Sequence, residues 1–105
     1  MQRSILHERL ISLIRGYGAK AAEHRQVARR LRALLPERFK AINFEHRRRL
    51  TSASEAERAT LVDSDWMNHV EEVVAITHAA TQARIEYETH LMMFEARRSL
   101  RTQRF

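Results

Sequence analysis

"WMNHVEEVVAITHAATQARIEYETHLMMF", residues 66–94, decides the fold of this chain. Trp66, Val73, Ala80, Tyr87 and Phe94 recur at strict sevens. Val70, Thr77 and Leu91 stand four residues after the first, second and fourth of these, and His69, Ile76, Ala83 and His90 stand three after the first four. Seven residues are two turns of an α-helix, so these side chains gather on one stripe of a single long helix, the pattern of a coiled-coil seam. Just upstream, "DSDW" supplies a start. Asp63 or Ser64 can accept from the free N–H groups of the first turn, and Asp65 suits the positive end of the helix dipole. The pattern predicts a helix over 64–101.

A second stripe answers the first. His7, Ile14, Ala21, Ala28 and Leu35 stand at sevens, with Leu10, Tyr17, His24 and Leu31 three residues after the first four. The register does not slip at Gly16-Tyr17-Gly18, although each Gly costs about 1 kcal/mol in a helix interior. One helix over 3–35, with a soft or kinked point at the glycines, is the expectation. Pro36 followed by Glu37 is placed like a first helical residue, and Leu35, Phe39, Ile42 and His46 make a short stripe of their own, so a separate helix is expected over 36–50. "TSASEAE" then offers Ser52 with Glu55, or Ser54 with Glu57, as a capping box for a short helix over 54–62.

These elements predict an all-α chain: a long antiparallel helical hairpin with one or two short helices between the long ones, packed as a helical bundle. A length of 105 residues suits a single domain over 1–105, and 44% hydrophobic content is ordinary for a chain that folds. The two Gly and the one Pro all lie within the first 36 residues. An antiparallel seam pairs residues whose numbers sum to about 104, matching Leu10 with Phe94, Tyr17 with Tyr87, His24 with Ala80 and Leu31 with Val73. Leu10, Ile14, Tyr17, Ala21, His24, Ala28, Leu31 and Leu35 then face Trp66, Val70, Val73, Ala80, Tyr87, Leu91 and Phe94. The same register brings Arg25, Arg29, Arg30 and Arg32 opposite Asp65, Glu71 and Glu72. It leaves Ile5, Ile11, Leu13, Val74 and Met92, and part of Phe39, Phe44 and Leu61, to be covered by the short helices or by a second copy. A homodimer is expected on that ground.

Charge is segregated along the chain. The net charge of +6 divides into +9 over residues 1–50, −7 over 51–96 and +4 over 97–105. Basic and acidic stretches can therefore meet each other before any outside partner is invoked. "FEHRRRL" (44–50) and "FEARRSL" (94–100) share five letters fifty positions apart. Read structurally, both are helix endings: Phe44 and Phe94 face inward, Glu45 reaches Arg48 or Arg49, Glu95 reaches Arg98, and the cations suit the negative end of the dipole. Read functionally, Arg47, Arg48, Arg49, Arg97, Arg98, Arg101 and Arg104 form basic surfaces for phosphate. Against the second reading, the few aromatic residues lie mostly on the core stripes, which leaves no stacking platform for single strands.

Several chemistries are excluded or disfavoured by composition. With no Cys there are no disulfides, thiolate metal sites or cysteine nucleophiles, and a reducing cytoplasm is favoured. No His of the six stands three residues after a Glu, so the Glu-x-x-His pairs of a di-iron bundle are missing. No metal and no cofactor are expected. No Gly-rich phosphate loop or poised nucleophile is present, and no apolar run approaches a membrane span. The Arg-rich "MQRSILHERLISLIR" is amphipathic like a transit peptide, but it carries Glu8 and runs in phase into the first helix, so it reads as part of the fold. The function expected is a non-enzymatic interaction module, self-associating or holding a different protein. The alternative is a small basic nucleic-acid-binding protein.

Overall fold

The computed structural model describes the backbone of residues 2–50 and 52–103 and the side chains of residues 6–50 and 52–100. The chain forms three helices, α1 (Gln2–Arg49), α2 (Ala53–Leu61) and α3 (Ser64–Gln103), and no strand among the described residues. Contacts between α1 and α3 run antiparallel, from His7 on Phe94 to Phe39 on Trp66. The fold is an all-α helical hairpin with one short helix at its turn.

One boundary differs from the sequence reading. The expected break between a helix over 3–35 and another over 36–50 does not exist: α1 is a single helix of 48 residues with Pro36 inside it. Pro36 has no N–H for the carbonyl of Arg32, and its ring crowds that carbonyl, which together cost about 3 kcal/mol. Packing beyond the proline offsets this cost. The inward row Ala28, Leu35, Ile42 passes Pro36 without losing phase, and Phe39 beyond it meets Trp66 edge-on at 5.1 Å. A proline that resembles a helix start is thus carried as an interior residue.

Contacts gather into two units, Met1–Arg25 with His78–Phe105, and Gln26–Thr77, with α1 and α3 running through both. In the first unit His7 lies on Phe94 with ring centroids 5.1 Å apart, and Tyr17 lies on His90 at 4.6 Å. His90 donates from Nδ1 to the Glu86 carbonyl at 2.7 Å, because a carbonyl can only accept. Gly18 lies against the Tyr87 ring of α3: a Cβ there would stand 3.1 Å from that ring, whereas one at Gly16 would meet nothing within 4 Å. The helix therefore runs through both glycines, and the close approach accounts for one of them. Ala21 and Ala83 are buried beside it. Contacting pairs have numbers summing to between 101 and 107, near the expected register.

In the second unit Ala28 and Val73 are buried, and Arg32 donates from Nη2 to the Thr77 hydroxyl at 3.3 Å. The short helix α2 is capped by Ser52, whose hydroxyl accepts from the Glu55 N–H at 3.2 Å, the N-cap half of the first of the two capping boxes expected from the sequence. It docks through Ala56 and Thr60, both fully buried. The Thr60 hydroxyl proton is shared between the Ala56 carbonyl at 2.7 Å and Asn43 Oδ1 at 3.2 Å, so the one buried polar side chain among the described residues is satisfied.

Candidate interaction surfaces

The arginines of the repeated motif do not form one surface within either unit. Arg47, Arg48 and Arg49 close α1 in the second unit, all exposed, while Arg97 and Arg98 belong to the first. Arg101 lies in α3 with its side chain outside the described residues, and Arg104 lies outside them altogether. Glu45 reaches Arg48 at 3.6 Å, as one-turn spacing requires. Phe44 departs from the expectation: it is 63% exposed, whereas Phe94 is half-buried on His7. The cause is phase, since Phe44 stands two residues past Ile42 and off the inward row of Leu35, Phe39, Ile42 and His46. The two copies share letters but not a face.

In the second unit polar contacts join the helices around residues that no local pattern pairs. Arg38 donates from Nη1 to His69 Nδ1 at 2.9 Å, which makes Nδ1 the unprotonated nitrogen, and lies 3.6 Å from Glu72 Oε2. This Arg–carboxylate pair joins α1 to α3 through Arg38, where the sequence places Arg25, Arg29, Arg30 and Arg32 opposite the acids. Asp63 has two partners. Its Oδ1 accepts from the Asp65 N–H at 2.9 Å and so caps α3, and its Oδ2 accepts from His46 Nε2 at 2.7 Å. Spacings of 31 and 17 residues hide both pairs from any local pattern.

The His46 hydrogen bond, and next the Asp65 N–H, hold the Asp63 carboxyl below its ordinary value of 3.8. A lowered carboxylate contributes stability that is present above the ordinary value and is lost as the pH falls through the lowered one. Asp63→Asn keeps the oxygen that caps α3 but not the charge. The stability difference between wild type and Asp63→Asn is therefore expected to shrink as the pH falls below about 4. Thermal unfolding of both proteins across that range checks it; a difference independent of pH would mean the charge on Asp63 is not what holds His46.

None of the seam residues named from the two stripes is exposed; Ala21, Ala28 and Val73 are buried and the others are half-buried. His24 has the one buried side-chain polar atom without a partner among the described residues, its Nδ1. Of the apolar side chains that the seam was expected to leave over, Leu13, Phe44, Leu61, Val74 and Met92 are exposed, Ile11 and Phe39 are half-buried, and the Ile5 side chain lies outside the described residues. In the first unit the exposed residues are ordered. Leu6 and Leu13 stand seven apart on α1, Met93 and Leu100 seven apart on α3, and Ile85 and Met92 seven apart on a different row of α3. No group of three His, Asp or Glu side chains among the described residues is placed to hold a metal ion, and no helix is long and apolar enough to cross a membrane. No protein-family model, no curated protein and no solved structure matches the chain.

Proposed function

We propose that this protein is a non-enzymatic interaction module whose helical hairpin presents apolar rows to other protein surfaces. The observation that carries the reading is the ordered exposure of large apolar side chains. Leu6 with Leu13, Met93 with Leu100, and Ile85 with Met92 repeat at two-turn spacing on the outside of the hairpin. Scattered exposed leucines need no explanation, but rows at helical spacing are what a helix presents to a second helix. The cysteine-free composition fits a cytoplasmic setting.

The rival is a phosphate-binding protein, favoured by three consecutive exposed arginines, Arg47, Arg48 and Arg49, in the last turn of α1. Ionic strength separates the two, because phosphate contacts release counterions and apolar contacts do not. The experiment is sedimentation of the nuclease-treated protein with a short labelled duplex at low and moderate salt. On the proposed reading the duplex sediments alone at moderate salt while protein assemblies persist. Co-sedimentation that survives moderate salt, and that Arg47→Gln, Arg48→Gln and Arg49→Gln together abolish with helicity intact, would put the rival in its place.

A further inference from the structure

From the side of the hairpin that carries Leu6, Leu13, Met93 and Leu100, we infer that its occupant is a second copy of this chain, seated face to face with each α1 lying along the other copy's α3. The inference rests on the interaction-module reading and names the partner for one of its surfaces.

Both rows border the same edge of the seam. Leu13 stands four residues before Tyr17 on α1 and Met93 three residues after His90 on α3, and the Tyr17 and His90 rings lie 4.6 Å apart across the seam. The register set by Tyr17 with His90 and Gly18 with Tyr87 puts Leu6 level with Leu100, Leu13 level with Met93, and Lys20 level with Glu86. Leu6, Leu13, Leu100 and Met93 are exposed, and so are Lys20 and Glu86 one heptad further along each row. The face thus carries Leu and Met at two levels, with the exposed Arg9 and Arg97 level with each other between them, and opposite charges on its two helices at the third level.

Charge then selects the arrangement. If the two-fold axis runs parallel to the helices, levels are kept and α1 faces the other copy's α3. Leu6 then meets Leu100, Leu13 meets Met93, and Lys20 meets Glu86, twice over by symmetry. If the axis crosses the helices at the level of Leu13, α1 faces α1 and Leu6 falls on Lys20, while on the other side Leu100 falls on Glu86. Of the two, only the first keeps Leu and Met on Leu and Met and sets Lys20 on Glu86; the like charges it brings level, Arg9 and Arg97, are both exposed. It completes a four-helix bundle in which every neighbouring pair is antiparallel.

Packing within one chain leaves large apolar side chains uncovered. The hydrophobic core within one chain consists of Ala21, Ala28, Ala56, Val73 and Ala83, with no buried Leu, Ile, Met or aromatic side chain among the described residues. Large side chains that are half-covered by one chain are completed by another.

Light scattering behind a sizing column tests the inference, with a mass twice 12.4 kDa expected. Leu13→Glu is expected to weaken association on the order of 100-fold with helicity by circular dichroism unchanged. Lys20→Glu is expected to weaken it about tenfold, and Lys20→Glu with Glu86→Lys to restore it. The chain has no cysteine, so Leu13→Cys and Met93→Cys proteins, mixed and oxidised, should give a mixed disulfide that neither gives alone. A monomeric wild type overturns the second copy as occupant and leaves the interaction-module reading to a different protein. A dimer that cross-links Leu13→Cys to itself, or that survives Leu13→Glu and gives no mixed disulfide, overturns this face while self-association stands.

Discussion

Pro36→Ala is expected to stabilise the protein by about 2–3 kcal/mol, an unusually large gain for one surface substitution. Pro36 lies inside the 48-residue α1 with its side chain exposed, so no packing is lost with the ring. Alanine restores an N–H that the Arg32 carbonyl can accept, relieves the ring's contact with that carbonyl and frees Leu35 from the restriction that a following proline imposes. For a domain of this size the melting temperature should rise by roughly 10 °C or more. The chain beyond position 36 decides whether the whole gain is realised. Arg38 on His69, Phe39 on Trp66 and His46 on Asp63 all depend on the direction α1 takes after the proline. If alanine redirected that segment, these contacts would loosen and the melting temperature would stay level or fall. An unchanged or lowered value would therefore mean that Pro36 sets the path of α1 toward the turn; a rise of the expected size would mean that it is a tolerated interruption.

Pro36 also marks the limit of what the chain discloses by itself. The heptads of α3, its start at Asp63, the Ser52 N-cap and the passage of α1 through Gly16 and Gly18 are all legible, because each depends on residues within two turns of one another. Pro36 was misread because the local rule that places proline in a first turn was in conflict with the longer row Ala28, Leu35, Ile42, and the packing of that row prevailed. Phe44 was misread for a related reason. Its likeness to the motif around Phe94 points inward, whereas the phase set by Phe39 and Ile42 turns it outward. The pairs Arg38 with His69, His46 with Asp63 and Thr60 with Asn43 could not be read in advance, since they require the docking position of α2 and the register of the hairpin. Asp63 was found as a cap, but its second oxygen and the histidine it holds were not. Of the surfaces, the leftover apolar residues could be named from the stripes, whereas their order into rows on one edge became apparent only once Tyr17 was seen on His90.

Val73→Asp is expected to unfold the protein, while Val74→Asp, one residue later, is expected to leave it folded. Val73 is 6% exposed and Val74 62%, so two identical neighbouring side chains sample the inside and the outside of the same turn of α3. At position 73 the change removes about 1.5–3 kcal/mol of apolar burial and places a carboxylate where no described basic group is shown to meet it, a further penalty of several kcal/mol. A small domain holds about 5–15 kcal/mol in total, and one whose buried hydrophobic residues, among those described, are four alanines and Val73 belongs toward the lower end of that range. The combined loss is of the same size as the whole. At position 74 the carboxylate stays in water, and the expected change is within about 0.5 kcal/mol. Urea unfolding followed by helicity distinguishes the cases. Equal tolerance at 73 and 74 would show that the stripe through Trp66, Val73 and Ala80 is not the inward face of α3. Equal intolerance would show that the outward face at Val74 is itself covered, and because α1 and α2 leave Val74 exposed within one chain, the covering surface would have to come from another.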